Sequence, residues 1–148
     1  MLVAPSSEDP GMKRVALWLP VFLGVLACGT PASGPLAAWD QSQVTSLAQQ
    51  LAAACTDWDA AVVRQPEAGP RLQQNARTLI EQSTTLAAHL AHGANRKQAL
   101  DYYLSLREVV DDTEELIPRI DLIDPSLLAW RKVANLVHEI APYFYSSK

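Results

Sequence analysis

Apolar residues recur every three or four positions through most of the chain that follows residue 39. Over residues 40–64 the recurring positions are Val44, Leu47, Leu51, Cys55, Trp58 and Val62. This spacing places them on one face of an α-helix. Asp40 stands just before them, where its carboxylate can cap the first turn. The pattern predicts a helix over residues 40–64.

A second stripe of the same period begins at Pro70, which suits the first turn of a helix, and stops before Gly93. Its members are Leu72, Ala76, Leu79, Ser83, Leu86 and Leu90. Since glycine commonly ends helices, we expect the second helix to finish at about this point.

Two further stripes complete the pattern. Asn95 is a predicted cap for the third helix, which Pro118 ends, and its stripe runs through Ala99, Tyr103, Leu106, Val110, Thr113 and Ile117. The fourth helix is predicted to have Asp124 as its N-cap and Pro125 as its first residue. Its stripe consists of Trp130, Val133, Val137 and Ile140, and Pro142 follows.

Four amphipathic helices with short connections predict an all-α fold. Short connections make sequence neighbours antiparallel, so we expect an up-down-up-down four-helix bundle over residues 39–148. The rival arrangement is a pair of helical hairpins that completes its core by forming a homodimer.

The N-terminal part of the chain has a different pattern, typical of an export signal. Lys13 and Arg14 form a positive region, and the apolar stretch 15–27 follows directly. This stretch has the length of a signal-peptide core and is too short to span a bilayer comfortably. Residues 12–27 are therefore predicted to be a signal peptide.

The apolar stretch ends in Val25-Leu26-Ala27-Cys28, which resembles the lipobox of bacterial lipoprotein precursors. The resemblance implies that Cys28 becomes the first residue of the mature protein and carries acyl chains such as palmitate. It also implies a place in the cell envelope, facing the periplasm or the exterior. Gly29 stands where Asp would signal retention in the inner membrane, so the outer membrane is favoured in a Gram-negative host. An ordinary secretory signal and an uncleaved anchor are the alternatives.

Two segments flank this signal. Residues 1–11 contain Glu8 and Asp9, which do not suit a positive signal region, so we expect translation to start at Met12 rather than Met1. Residues 29–38 are small and rich in Pro, Gly and Ser. With lipidated Cys28 they are predicted to form a flexible tether between membrane and bundle.

Composition and motifs exclude several classes of function. The 148 residues carry a net charge of −4 with scattered basic residues, which argues against a nucleic-acid partner. Two cysteines without a CxxC pair exclude a zinc or dithiol motif. Neither GxSxG nor SxxK occurs, and Cys55 has no histidine placed beside it by the spacing. We therefore expect no enzyme activity and no cofactor.

The antiparallel order gathers two candidate sites at the end of the bundle that the tether joins, called here the tether end. One is a set of basic and aromatic residues that a lipid headgroup region accepts: Arg96, Lys97, Tyr102, Tyr143 and Tyr145. The other is a set of candidate metal ligands, namely His89, His92 and His138. Closure of the bundle by Tyr103 and Phe144, with the remaining residues at the surface, is the competing interpretation.

Two hypotheses for function follow. The first is a non-enzymatic interaction or structural module that holds a partner, an unknown envelope protein or a second copy, at the membrane. The second is a carrier that binds a small ligand or a metal ion in the bundle.

Overall fold

Residues 35–145 are described by the computed structural model, and within them the chain forms four α-helices and no β-strand. The helices are α1 (Gln41–Arg64), α2 (Pro70–Ala91), α3 (Arg96–Leu116) and α4 (Asp124–Ile140). Short 3-10 turns, Ile117–Arg119 and Ala141–Tyr143, follow α3 and α4. The predicted all-α, up-down-up-down four-helix bundle is confirmed.

Most helix ends lie where the capping residues predict. The Asp40 carboxylate accepts a hydrogen bond from the backbone N–H of Gln43 at 3.0 Å. Asn95 and Gln98 form a reciprocal capping box at the start of α3, with bonds of 3.1 and 3.0 Å. Gly93 adopts a left-handed conformation with φ 86°, so the chain reverses between α2 and α3 at the one position that accepts this backbone without a steric cost.

The start of α4 differs from the prediction by one residue. Asp124 is the first residue of the helix and Ile123 takes the cap position without a side-chain hydrogen bond. The backbone N–H of Ile123 instead donates to Oε1 of Gln65 at 3.1 Å, and Nε2 of Gln65 donates to the carbonyl of Asp121 at 2.7 Å. The buried Gln65 side chain from the α1–α2 connection therefore fixes the backbone at Asp121 and Ile123, just before the helix begins.

The four predicted stripes form one core. Every stripe member is buried except Ile117, which is half-buried and packs against the core. Trp58 and Trp130 meet inside the bundle with their rings 5.2 Å apart. Because one chain completes its own core, the hairpin that would need a homodimer to bury its stripe is not the fold of this protein.

Packing around the ring of helices is uneven. α1 packs closely against α2 and α4, and α2 packs closely against α3, whereas α3 and α4 approach each other less closely. α1 is therefore the central helix of the packing, and α3 is held mainly through α2.

The C-terminal part of α3 carries a run of acidic residues, 111–115, and two of them, Asp111 and Asp112, have partners on α3 and α2. The Asp112 carboxylate accepts hydrogen bonds from Asn75, at 2.8 Å, and from the Arg71 guanidinium, both on α2. These two donors hold the pKa of Asp112 below its ordinary value. Arg107 pairs with Asp111 at 2.6 Å one turn away. Ion pairs and hydrogen bonds within α3 and to α2 thus balance the charges of Asp111 and Asp112.

Candidate functional site

The segment that leads into α1 is bonded to the tether end of the bundle. The backbone N–H of Ala37 donates to the carbonyl of Pro142 at 2.8 Å, beyond the end of α4. The carbonyl of Ala37 accepts a hydrogen bond from Nη2 of Arg96 at the start of α3. Ala37 was expected to belong to a flexible tether, but these bonds attach it to the bundle. The part of the chain attached to the bundle therefore includes Ala37 as well as Trp39.

Arg96 also contacts Trp39, at the same end of the bundle. The Arg96 guanidinium carbon lies 5.5 Å from the centre of the Trp39 ring, within cation–π range. The Trp39 indole N–H donates to Oε1 of Gln41 at 3.0 Å, and Nε2 of Gln41 donates to the carbonyl of Leu90 at 2.7 Å. We call the contacts of Ala37, Trp39 and Arg96 the Arg96 clasp. It joins the incoming chain to the starts of α1 and α3 and to the end of α4.

Aromatic rings close the tether end beneath the clasp. Tyr103 and Phe144 stack with centroids 4.4 Å apart and planes 5° from parallel. Trp39 meets Phe144 edge-on at 5.7 Å, and Tyr145 lies 5.9 Å from Tyr103. Burial, with a smaller contribution from Tyr145, raises the pKa of Tyr103, so its phenol stays neutral. Tyr103 and Phe144 thus close the bundle, as the competing interpretation of this end required.

The five candidate membrane-contact residues have different surroundings. Arg96 is half-buried in the clasp, and Tyr102 is half-buried against His89, with ring centroids 4.0 Å apart. These two side chains therefore have partners inside the protein. Lys97 is exposed, Tyr143 is half-buried, and Tyr145 is 36% exposed. Contact with a lipid surface would fall mainly on these last three residues.

The three histidines do not form a common site. His89 and His92 lie near the end of α2, and Nδ1–H of His92 donates to the carbonyl of Ala88 at 2.6 Å. His138 is exposed on α4, a helix that does not pack closely against α2. Within residues 35–145 there is no group of three side chains able to hold a metal ion. The predicted ligands are therefore at most a pair on one helix, with His138 apart from them.

Cys55 is enclosed in the middle of the core. Its side chain is fully buried on α1. Burial raises the pKa of its thiol to about 11, and a hydrogen bond with Ser83 on α2 offsets part of that rise. A thiol this basic carries almost no thiolate at neutral pH, and its full burial keeps it away from reagents in solution while the core stays closed.

This burial predicts that Cys55 resists alkylation. In a Cys28→Ser variant, which leaves Cys55 as the one thiol of the chain, maleimide should modify Cys55 at least about a hundredfold more slowly in buffer than in denaturant, since reaction requires opening of the core. Intact-mass spectrometry over time measures both rates. Rapid modification in buffer would show that the α1–α2 interface is open.

The predicted lipidation site lies outside the residues that the structure describes, as do the rest of the lipobox and residues 29–34. Among the described helices, none combines the length and the apolar character needed to cross a membrane. Comparison with protein-family models, with curated proteins and with solved structures found no match to this chain.

The Arg96 clasp was missed at the sequence level. Arg96 and Ala37 are 59 residues apart, so no periodic pattern links them. Trp39 indicated part of this contact. A tryptophan between a segment of small residues and a helix cap is expected to pack against the helices that it adjoins. The pairing of Arg107 with Asp111 could have been found, because oppositely charged residues four apart on a helix face each other.

Proposed function

We propose that this protein is a lipid-anchored component of a bacterial cell envelope, and that its helical bundle is a non-enzymatic interaction or structural module. The observation that carries the proposal is the order of segments at the N-terminus. A positive region, an apolar stretch and the lipobox cysteine Cys28 precede a chain that folds into a small helical bundle.

The anchor supplies the first half of the proposed role. Acyl chains contribute about 0.8 kcal/mol per buried CH₂, and more than one chain is needed for stable attachment. A lipoprotein cysteine carries chains on both its sulfur and its amino group, so Cys28 would meet this requirement alone. Gly29 after the cysteine favours the outer membrane where the host has one.

The surface of the bundle supports the second part of the proposed role, interaction with a partner. Five carboxylates of α3 are exposed, Asp101, Glu108, Asp111, Glu114 and Glu115, and Arg107 on the same helix pairs with Asp111 and Glu114. The outer face of α4 presents Arg131 and Lys132 beside Leu128, which is 64% exposed. Faces of opposite charge favour selective and oriented contact with a protein partner in the envelope. These helix faces, rather than an enclosed pocket, are the part of the molecule that supports an interaction role.

Intact-mass spectrometry of protein purified from its native envelope tests the proposal. We expect a mature chain that begins at Cys28 and carries a mass increment equal to a diacylglyceryl group, with or without an N-acyl chain. Crosslinking in the same envelope, followed by identification of the partner, tests the interaction role. A mature chain that begins elsewhere, or an unmodified Cys28 thiol, would overturn the lipid anchor.

A further inference from the structure

We propose that the tether end of the bundle is a bilayer-facing surface, and that the Arg96 clasp holds the molecule end-on with its helices upright on the membrane. This inference rests on the proposed function, since it takes Cys28 as the point of attachment. It adds an orientation and a lipid contact that an anchor alone does not specify.

The first argument is the path of the chain. Ala37 is bonded to Pro142 and to Arg96, so the described chain joins the bundle at the tether end. Nine steps separate Ala37 from Cys28. A chain of that length spans at most about 32 Å. Ala37 therefore lies within about that distance of the point of attachment at Cys28, and the tether end is the part of the bundle joined to the anchor.

The second argument is the distribution of aromatic side chains. Among residues 35–145, the aromatic residues that are at least partly exposed are Trp39, Tyr102, Tyr143 and Tyr145. All four lie in the half of the bundle nearest the tether end, and Leu36, 42% exposed, adjoins them. Tyrosine and tryptophan prefer the membrane–water interface, because one part of the side chain is apolar and another is polar.

The third argument is what the other surfaces would bring to the lipid. If the bundle lay on its side along α3, it would place Asp101, Glu108 and Asp111 against the headgroups. The described residues of the opposite end, 59–72 and 112–126, include no Phe, Trp or Tyr. The outer face of α4 offers Leu128, 64% exposed, beside Arg131 and Lys132, and the opposite end offers Val63, 69% exposed. Among the described residues neither surface has an exposed Tyr or Trp, so the aromatic side chains favour the end-on contact.

Charge contributes little to this contact. Lys97 and His92 are exposed at or near the tether end, but so are Asp40, Asp101 and Glu139. Opposite charges in such proximity leave no strong attraction for anionic lipid. The orientation should therefore form on zwitterionic phosphatidylcholine and change little between low and high salt.

The experiment attaches the protein by chemistry instead of by native lipidation. Mature protein beginning at Cys28 is coupled through that thiol to maleimide-bearing lipid in phosphatidylcholine bilayers, while buried Cys55 stays unmodified and reports an intact core. Because the coupling replaces the native acyl chains, failure of this inference and failure of the lipidation proposal are separate results.

We expect two signatures in the coupled protein. Polarised infrared absorption should show helix axes along the bilayer normal. Hydrogen exchange at residues 92–97 and 141–145 should slow at least about threefold relative to uncoupled protein with a blocked Cys28, and exchange at residues 117–124 should not change. A helix order parameter near zero or negative, or slowing confined to α3 or to the opposite end, would overturn the inference.

A matched pair of variants tests the clasp. Arg96→Gln removes the charge over Trp39 and weakens the bond to Ala37, so the coupled variant should lose upright order while it stays on the bilayer. Arg131→Gln removes the same charge from an exposed site on α4 and should orient like wild type. Circular dichroism checks that both variants are folded. Equal order in Arg96→Gln and wild type would show that the clasp does not set the orientation.

Discussion

Replacement of Leu86 by Asp is expected to unfold the bundle. Leu86 is fully buried on α2, so the variant loses the transfer free energy of the leucine side chain. A large-to-small change of this kind costs about 2–5 kcal/mol. The new carboxylate is either buried without a partner or protonated against its ordinary pKa, and this adds several kcal/mol. The sum approaches the whole stability of a typical domain, about 5–15 kcal/mol.

Leu128→Asp is the matched control, because it makes the same chemical change on α4 at a side chain that is 64% exposed. Its expected effect on the free energy of unfolding is within about 0.5 kcal/mol. Urea titration followed by circular dichroism measures both variants. If Leu86→Asp kept the wild-type midpoint while Leu128→Asp lost stability, the assignment of buried and exposed faces would be wrong.

The helices could be predicted because each carries its own local information. The spacing of Leu72, Leu79 and Leu86 determines which face of α2 is buried, and a neighbouring residue such as Asp40 or Gly93 marks a helix boundary. These signals act over one or two turns, so a single sequence contains them in full. The antiparallel order then follows from the short connections.

The start of α4 could not be predicted, because its partner is distant in sequence. Asp124 followed by proline is a normal cap signal, but Gln65 reaches the backbone at Asp121 and Ile123 from 56 and 58 residues away. The same reason applies to the candidate site. Tyr102 and Arg96 were assigned to one surface because both lie near the start of α3. In the fold, however, Tyr102 stacks on His89 and Arg96 donates to the carbonyl of Ala37.

Replacement of Cys28 by Ala is expected to release the protein from the membrane or to leave unprocessed precursor. Without the thiol no diacylglyceryl group can be attached, and lipoprotein processing, which requires the modified cysteine, should stop. We expect either unprocessed precursor or released protein in place of the mature membrane-bound form. The loss of the mature membrane-bound form should be nearly complete, since its formation requires the modified cysteine. Fractionation of the envelope, with intact mass of each fraction, measures the outcome.

Cys55→Ala is the matched control, because it removes the other cysteine of the chain from a fully buried site. It deletes a small side chain from the core, which should cost about 1 kcal/mol and leave the membrane fraction unchanged. Cys28→Ser separates the chemistry from side-chain size, since serine is close in size to cysteine and lacks the thiol that lipoprotein maturation modifies. If Cys28→Ala remained in the membrane at its mature mass, another part of the chain would have to hold the protein there. If Cys55→Ala released the protein, membrane attachment would depend on the integrity of the bundle rather than on acyl chains.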